Sequence, residues 1–428
     1  MSGNIYWGAA IAALLINPLN AFAESDTDLQ TLRDQVQQLE QRITRLTSPA
    51  PAAGGEGTFN PAISMVLGGT YGTLQQDPAI PATGFAMNPN PGHGQGFNLG
   101  ESELGISANI DPQFRGIGTF SLDPAGGIGV ENAFVQTSSL GKGFNLKFGR
   151  YFSGLGYLNE QHAHAWDFAD QPLVYAVLWE NQLGEDGLQL KWLTPTDTFI
   201  ELGGEVGRGR GFPGTDRTKN GTGSGVVFAH IGDDIGIEHS WRAGVSLHKT
   251  RRVDAESVDV TDLSGNAVTN LFNGDSQTAG LDFVWKYSRN GNTRERYLKF
   301  QGEYFRRKEN GLLTYDTAVA NTTDSYSVTQ SGWYLQSVYQ FMPTWRTGLR
   351  YDRLDPGTAS VGATIAGNVI SDYAFHPSRV TWMTDYNPSE FTRIRLQLAH
   401  DNSRQGLADN QLFVQYIMSL GAHGAHQY

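Results

Sequence analysis

From Phe59 to the C-terminus the chain repeats one pattern: short runs of alternating apolar and polar residues, joined in turn by tight turns and long polar loops. A period of two on an extended strand sends one set of side chains to each face. Here one set is rich in Arg, Lys and Glu, and the other is Leu, Val, Ile and aromatics. A soluble sheet shows this over a few strands. Sustained over about 370 residues with no helical stretch to cover a second face, it predicts an all-β fold, a transmembrane antiparallel β-barrel with lipid outside and water inside.

Composition narrows the function classes. The 428 residues include no cysteine, so disulfides, thiol nucleophiles and Cys-ligated metals are excluded. A formal charge of −12 argues against nucleic acid as a partner. After residue 23 no window is apolar for long enough to be a membrane helix.

The first 23 residues differ. Ile5 to Leu19 is mostly apolar, and Ala21-Phe22-Ala23 before Glu24 reads as a small-x-small cleavage site, so residues 1–23 are expected to be a signal peptide and the chain to be exported. Leu29, Leu32, Val36, Leu39, Ile43 and Leu46 then recur at spacings of three and four. This a/d seam predicts a short self-associating coiled-coil helix over 24–46, in the periplasm. Residues 47–58, TSPAPAAGGEGT, carry nothing to bury and are expected to be a linker.

The remainder, 59–428, parses into sixteen strands, with fourteen or eighteen as alternatives. Up-strands start near Phe59, Phe114, Gly143, Thr198, Ile237, Arg294, Trp345 and Thr392; down-strands start near Phe97, Ile128, Gly187, Gly225, Ala279, Gly332, Ser378 and Asn410. Turns such as Asp111-Pro112-Gln113 and Pro343-Thr344 are short, and the other connections are mostly long. Short periplasmic turns and long external loops are the sidedness of an outer-membrane barrel. In Thr392–His400, Ile394, Leu396 and Leu398 are assigned to lipid and Arg393, Arg395 and Gln397 to the lumen. A lipid-facing Arg costs about 2–4 kcal/mol at the midplane, which sets the register.

One external connection, 153–185, is rich in Tyr, Trp, Phe, Leu and Val without strand alternation. Such a segment packs against something, and the lumen is the available surface; a folded lid on the outer rim is the alternative. Folded inward, it would make a constriction from Tyr157, Glu160, His162, His164, Trp166, Asp167 and Asp170. Arg346, Arg350, Arg379, Arg393 and Arg395 form a candidate basic wall, with Glu101, Glu103, Glu201 and Glu205 as the acidic wall. Walls of opposite charge select ions; the same residues could equally be paired among themselves as filling. His162 and His164 are candidate metal ligands, zinc above all, with Glu160, Asp167 or Asp170 as further donors; no other cofactor is expected. His423 and His426, in the closing tail, have the same chemistry at the other end of the barrel.

No G-x-S-x-G and no Ser/His/Asp set is present, so the chain is not expected to be an enzyme. Gly207-Arg208-Gly209-Arg210-Gly211 lacks the strand-to-helix setting of a phosphate cradle.

The heptad segment and linker, FNPAIS, GESELGISANIDPQFRG, GRYFSGLGYLNEQHAHAWDFADQPLVY and the closing SLGAHGAHQY with its terminal Tyr428 resemble a family of Gram-negative outer-membrane barrels labelled zinc-regulated or TonB-dependent receptors. The layout of coiled coil before barrel is also similar to phosphate-selective and sugar porins, which are trimers. The receptor label implies a plug inside a 22-stranded barrel, for which this chain has too few residues. The expectation is therefore a homotrimeric porin-like channel for passive diffusion of small hydrophilic solutes or ions. It would lie among membrane lipid and lipopolysaccharide, with its helix near peptidoglycan. The alternatives are a zinc-uptake receptor and a barrel tethering the envelope.

Overall fold

The computed structural model describes residues 61–421 apart from 86–93, 101, 123–125, 139 and 258–259. The signal, coiled-coil and linker expectations, Glu101 and the tail with His423, His426 and Tyr428 lie outside the described residues. Among the described residues sixteen antiparallel strands close into one barrel. They are β1 (Ala62–Thr73), β2 (Ser102–Asn109), β3 (Phe114–Leu122), β4 (Ile128–Thr137), β5 (Phe144–Phe152), β6 (Gly184–Leu193), β7 (Phe199–Gly207) and β8 (Ser224–Ile235). The second half comprises β9 (His239–Glu256), β10 (Leu271–Ser288), β11 (Tyr297–Tyr315), β12 (Thr322–Met342), β13 (Trp345–Asp355), β14 (Ser378–Ser389), β15 (Thr392–Asn402) and β16 (Asp409–Gly421). Each strand pairs with its neighbours in sequence, and β1 closes on β16 from Ser64↔Gly421 to Thr73↔Leu412. Closure gives every strand of the wall a neighbour on both sides, as backbone in hydrocarbon requires; the shortest seam is β4 with β5, paired from Ala133↔Arg150 to Gln136↔Lys147.

The pleat sorts the side chains. On β15, Ile394, Leu396 and Leu398 are 45%, 37% and 45% exposed, whereas Arg395 is 1% exposed. Since exposed here means outside the wall, the apolar set forms the outer belt. Aromatic pairs flank this belt beside the short turns: Phe144 stacks on Trp192 with centroids 5.6 Å apart, and Trp345 meets Tyr386 at 4.8 Å. Such girdles mark the interface levels of membrane barrels.

Two expectations are corrected. Strands β10 and β12 begin at Leu271 and Thr322, well before Ala279 and Gly332, so the loops they follow are shorter than predicted. Above the belt the outward positions turn polar, as with Asp275 and Gln277 on β10, while the pairing with β11 continues unbroken. Apolar alternation therefore ends before the strand does. Nor is the interior ionic throughout. Val226 and Phe228 on β8, Phe305 on β11, Tyr334 on β12 and Leu354 on β13 point inward into one apolar cluster.

Candidate pore constriction

The inward apolar cluster is filled by the connection between β5 and β6. Residues 173–179 form a seven-residue helix, α1 (Leu173–Trp179), every member of which is buried. Pro172 precedes it, where a missing N–H costs nothing, and Glu180 at φ 51° ends it in the left-handed region. Leu173, Val174, Val177, Leu178 and Trp179 pack with Leu155, Leu158 and the wall residues named above. At about 1.5–3 kcal/mol per buried apolar side chain, this packing is what draws a short helix, marginal alone, off the rim.

Backbone donors in the segment meet inward acceptors from around the wall. Gly154 N–H donates to Glu205 Oε1 at 2.8 Å on β7, and Leu158 N–H to Glu303 Oε1 at 2.9 Å on β11. Leu173 N–H donates to Asp352 Oδ1 at 2.9 Å on β13, and Ala169 N–H to Gln397 Oε1 at 2.7 Å on β15. In return Arg395 and Arg379 donate to the carbonyls of Trp166 and Gln171 at 3.0 and 2.7 Å. Gly156 makes the close approach possible. Its φ is +69°, and a Cβ there would stand 2.6 Å from Glu303 Oε2 and 2.7 Å from the Tyr175 hydroxyl.

Below the segment lies a chamber of about 1770 Å³ that reaches the short turns at Pro343-Thr344 and 387–391. Its ceiling includes Tyr157, Glu160, His162, His164 and Asp167. Among the described residues nine Lys and Arg line it against five Asp and Glu, an excess opposite in sign to the charge of −12 for the whole chain.

The sequence-selected residues separate into two groups. Arg346, Arg393, Glu103 and Glu201 line the chamber; Arg350, Arg379, Arg395 and Glu205 are not among its lining residues and instead hold the inward segment. The arginines are ion-paired. Asp385 lies 2.7 Å from Arg346, 2.8 Å from Arg395 and 3.7 Å from Arg393. Asp170 lies 3.0 Å from Arg350 and 2.7 Å from Arg379. Glu201 faces His230 at 3.1 Å and Lys191 at 3.7 Å, so the acidic side is paired as well. Trp166 is buried and donates from its indole to the Gln161 carbonyl at 2.8 Å. Tyr157 lies under two cations, Arg242 at 5.2 Å and Lys299 at 5.5 Å from its ring centroid, within cation–π range.

The carboxylates expected to join His162 and His164 are committed elsewhere, which corrects that grouping. Glu160 lies 2.9 Å from Lys191, and Asp167 lies 2.6 Å from Lys299 and 2.8 Å from Arg346. Burial disfavours charge on Glu160, yet Lys191 and Lys147 outweigh it and hold its pKa down to about 2. His162 instead meets Glu131 at 3.0 Å and Glu103 at 3.3 Å; burial opposes its charge, but these two carboxylates hold its pKa up to about 10. His164 meets Glu103 at 3.0 Å.

Sequence reasoning missed Lys147, Lys191, Arg242 and Glu131 as site residues. For the first two a signal existed: Lys147 sits between Leu146 and Phe148, and Lys191 between Leu190 and Trp192, so strand parity alone turns both ammonium groups inward.

No protein-family model matches the chain. A protein of Aquifex aeolicus (strain VF5), described as uncharacterized, is 32% identical over 356 residues, which is 78% of this chain and 70% of that protein. Among solved structures, outer-membrane expressed OmpT of Vibrio cholerae superposes with a TM-score of 0.52 at 11% identity, covering 84% of this chain and 97% of that one. The anion-selective porin from Comamonas acidovorans gives 0.50 at 12% identity, covering 85% and 100%. The outer membrane channel DcaP of Acinetobacter baumannii gives 0.50 at 11% identity, covering 85% and 98%. At such identities the likeness is one of fold, and that fold is the porin-type barrel. By its identity with the Aquifex protein and the coverage of both chains, this chain belongs to that protein's family.

Proposed function

We propose that the protein is a porin-type channel of a Gram-negative outer membrane, passing small hydrophilic solutes or ions down their gradients, with residues 153–183 setting its narrowest point. The observation that carries this reading is a closed wall, apolar outside, around a charged chamber of about 1770 Å³. Fixed charge of one sign along a pore concentrates counter-ions, so the basic excess of the lining favours anions.

The same reading implies the surroundings. Lys249, Arg251, Arg306 and Lys308 stand exposed on β9 and β11 above the apolar belt, a level suited to lipopolysaccharide phosphates. OmpT of Vibrio cholerae is known in a trimer form, and a homotrimer is the assembly proposed here.

Purified full-length protein in planar bilayers tests the reading. Stepwise conductance that scales with salt, with a reversal potential displaced towards anions, is expected. Silence under all voltages would overturn passive diffusion.

A second reading is favoured by one observation. The packing around α1 is buried and apolar, which suits a gate that must move before solute passes, as in an uptake receptor for metal complexes. A barrel silent as purified but conducting once residues 163–181 are deleted would support that reading instead.

A further inference from the structure

Strand β4 contains an irregularity that pleating alone does not require. Thr119 pairs with Asn132 and Phe120 with Val130, leaving Glu131 as an extra, unpaired residue. On a regular strand Glu131 and Asn132 would face opposite sides. The bulge lets both turn to the lumen, with the Glu131 side chain 18% exposed and Asn132 7% exposed. Bulges re-aim side chains at sites.

The re-aimed carboxylate completes a cluster. Glu131 from β4, Glu103 from β2 and His162 from the inward segment offer one ligand atom each, all within 4.8 Å of one another. His162 Nδ1 is 3.0 Å from Glu131 Oε2 and 3.3 Å from Glu103 Oε1. A tetrahedral ion with bonds of about 2.0–2.1 Å has ligand-to-ligand edges of about 3.3 Å; the two edges to His162 are close to that, and the third, between the carboxylates, lies within 4.8 Å.

The surroundings fit as well. His162 Nε2 lies 2.8 Å from the Asn132 amide; with the amide turned over, a distance its symmetry permits, the ring Nε2–H donates to the amide oxygen and leaves Nδ1 for the ion. Metal-bound imidazoles are held in this way. His164 Nδ1 lies 3.0 Å from Glu103 Oε1, and its ring stacks on His162 at 5.7 Å between centroids. Glu103, His162 and His164 line the chamber, so an ion reaches them through water.

We propose that Glu103, Glu131 and His162 form a divalent-metal site, with Zn²⁺ the preferred ion, water completing the coordination and His164 orienting Glu103. One imidazole with two carboxylates suits zinc, whereas calcium and magnesium favour all-oxygen shells over an imidazole nitrogen. The ion ties the ceiling of the chamber to β2 and β4.

The test is equilibrium Zn²⁺ titration of chelator-stripped, full-length protein in detergent, followed by calorimetry. One Zn²⁺ per chain is expected, weakened at least about tenfold in both Glu131→Gln and His162→Ala. Glu131→Gln keeps side-chain shape, and its β-sheet circular dichroism checks the fold. The double variant His423→Ala, His426→Ala is expected to bind as the parent does. No binding by the parent, binding indifferent to Glu131→Gln, or loss in the tail variant overturns the site. Bilayer conductance of the parent is a separate readout, so failure here leaves the channel reading standing.

Discussion

Asp170 holds its Oδ2 2.7 Å from Nη1 of Arg379, joining the inward segment to β14 across the barrel interior. The other oxygen of the same carboxylate accepts from Arg350 at 3.0 Å and from Gln397 at 2.8 Å. Three strands thus converge on one loop residue. Asp170→Asn removes the charge and keeps the shape, so about 2 kcal/mol of charge-assisted hydrogen bonding is lost. The expected outcome is a lower denaturant midpoint together with noisier open-channel current. An unchanged midpoint and steady current would show that the segment is held without this contact.

Among the described residues Asp385 is the one carboxylate ion-paired with Arg395, and it also serves Arg346 and Arg393. Its side chain is fully buried. Asp385→Ala leaves the buried Arg395 without its carboxylate, while Arg346 keeps Asp167, a loss of about 3–5 kcal/mol for a broken buried pair. Guanidinium unfolding of the protein in detergent or liposomes measures it. A shift within about 0.5 kcal/mol would contradict the pairing as an energetic element.

Neutralising cations should depend on where they stand. Arg346→Gln, Arg393→Gln and Lys299→Gln alter the chamber lining and are expected to move the reversal potential towards cations. Arg350→Gln and Arg379→Gln alter residues that hold the segment and do not line the chamber, and should move it little. Equal shifts from both sets would place the ion path elsewhere than through the chamber.

Leu396 points out of the barrel between the inward Arg395 and Gln397. Leu396→Arg is expected to cost about 2–4 kcal/mol in bilayer folding equilibria. Leu396→Phe, which stays apolar, should cost far less. An arginine tolerated without loss would remove this strand from the lipid belt.

The external connection between β9 and β10 has its own pH response. Asp262 accepts from the Tyr315 hydroxyl at 2.7 Å and from the Ser264 and Asn266 amides at 2.8 Å each. The Tyr315 bond foremost, then these amides, hold its pKa down to about 2. A depressed carboxyl pKa adds stability above the ordinary value near 4 and loses it as pH falls towards 2. At pH 2.5 pepsin should therefore cut Tyr315→Phe faster than the parent between residues 257 and 270. Equal cleavage of the two would mean the tyrosine does not hold this turn.

How much of this was legible beforehand depends on range. The eight up-strands begin within three residues of the starts read from alternation, as with Phe114, Trp345 and Thr392. Lipid enforces that parity locally, because a misplaced Arg395 would be prohibitive. The down-strands β10 and β12 escaped because their upper ends leave the belt, where no solvent distinction marks the outer face. The aromatic segment announced itself as buried, since Leu173 to Trp179 has no strand parity and too little polarity for a surface loop.

The charge partners were beyond reach of any such pattern. Asp167 finds Lys299 and Arg346 more than a hundred residues away, and nothing local tells which inward cation stands opposite which carboxylate. Glu131 was hidden for another reason: one unpaired residue reverses facing without altering composition, although two adjacent polar residues, Glu131 and Asn132, in an otherwise alternating run were a trace of it. Period-two patterning, acting between neighbours, was enough to dictate a cylinder and its inside. Which ions pair within it, where its lumen turns apolar around α1, and why a chain of net charge −12 carries a basic chamber were settled by closure, because only a closed wall brings distant strands face to face.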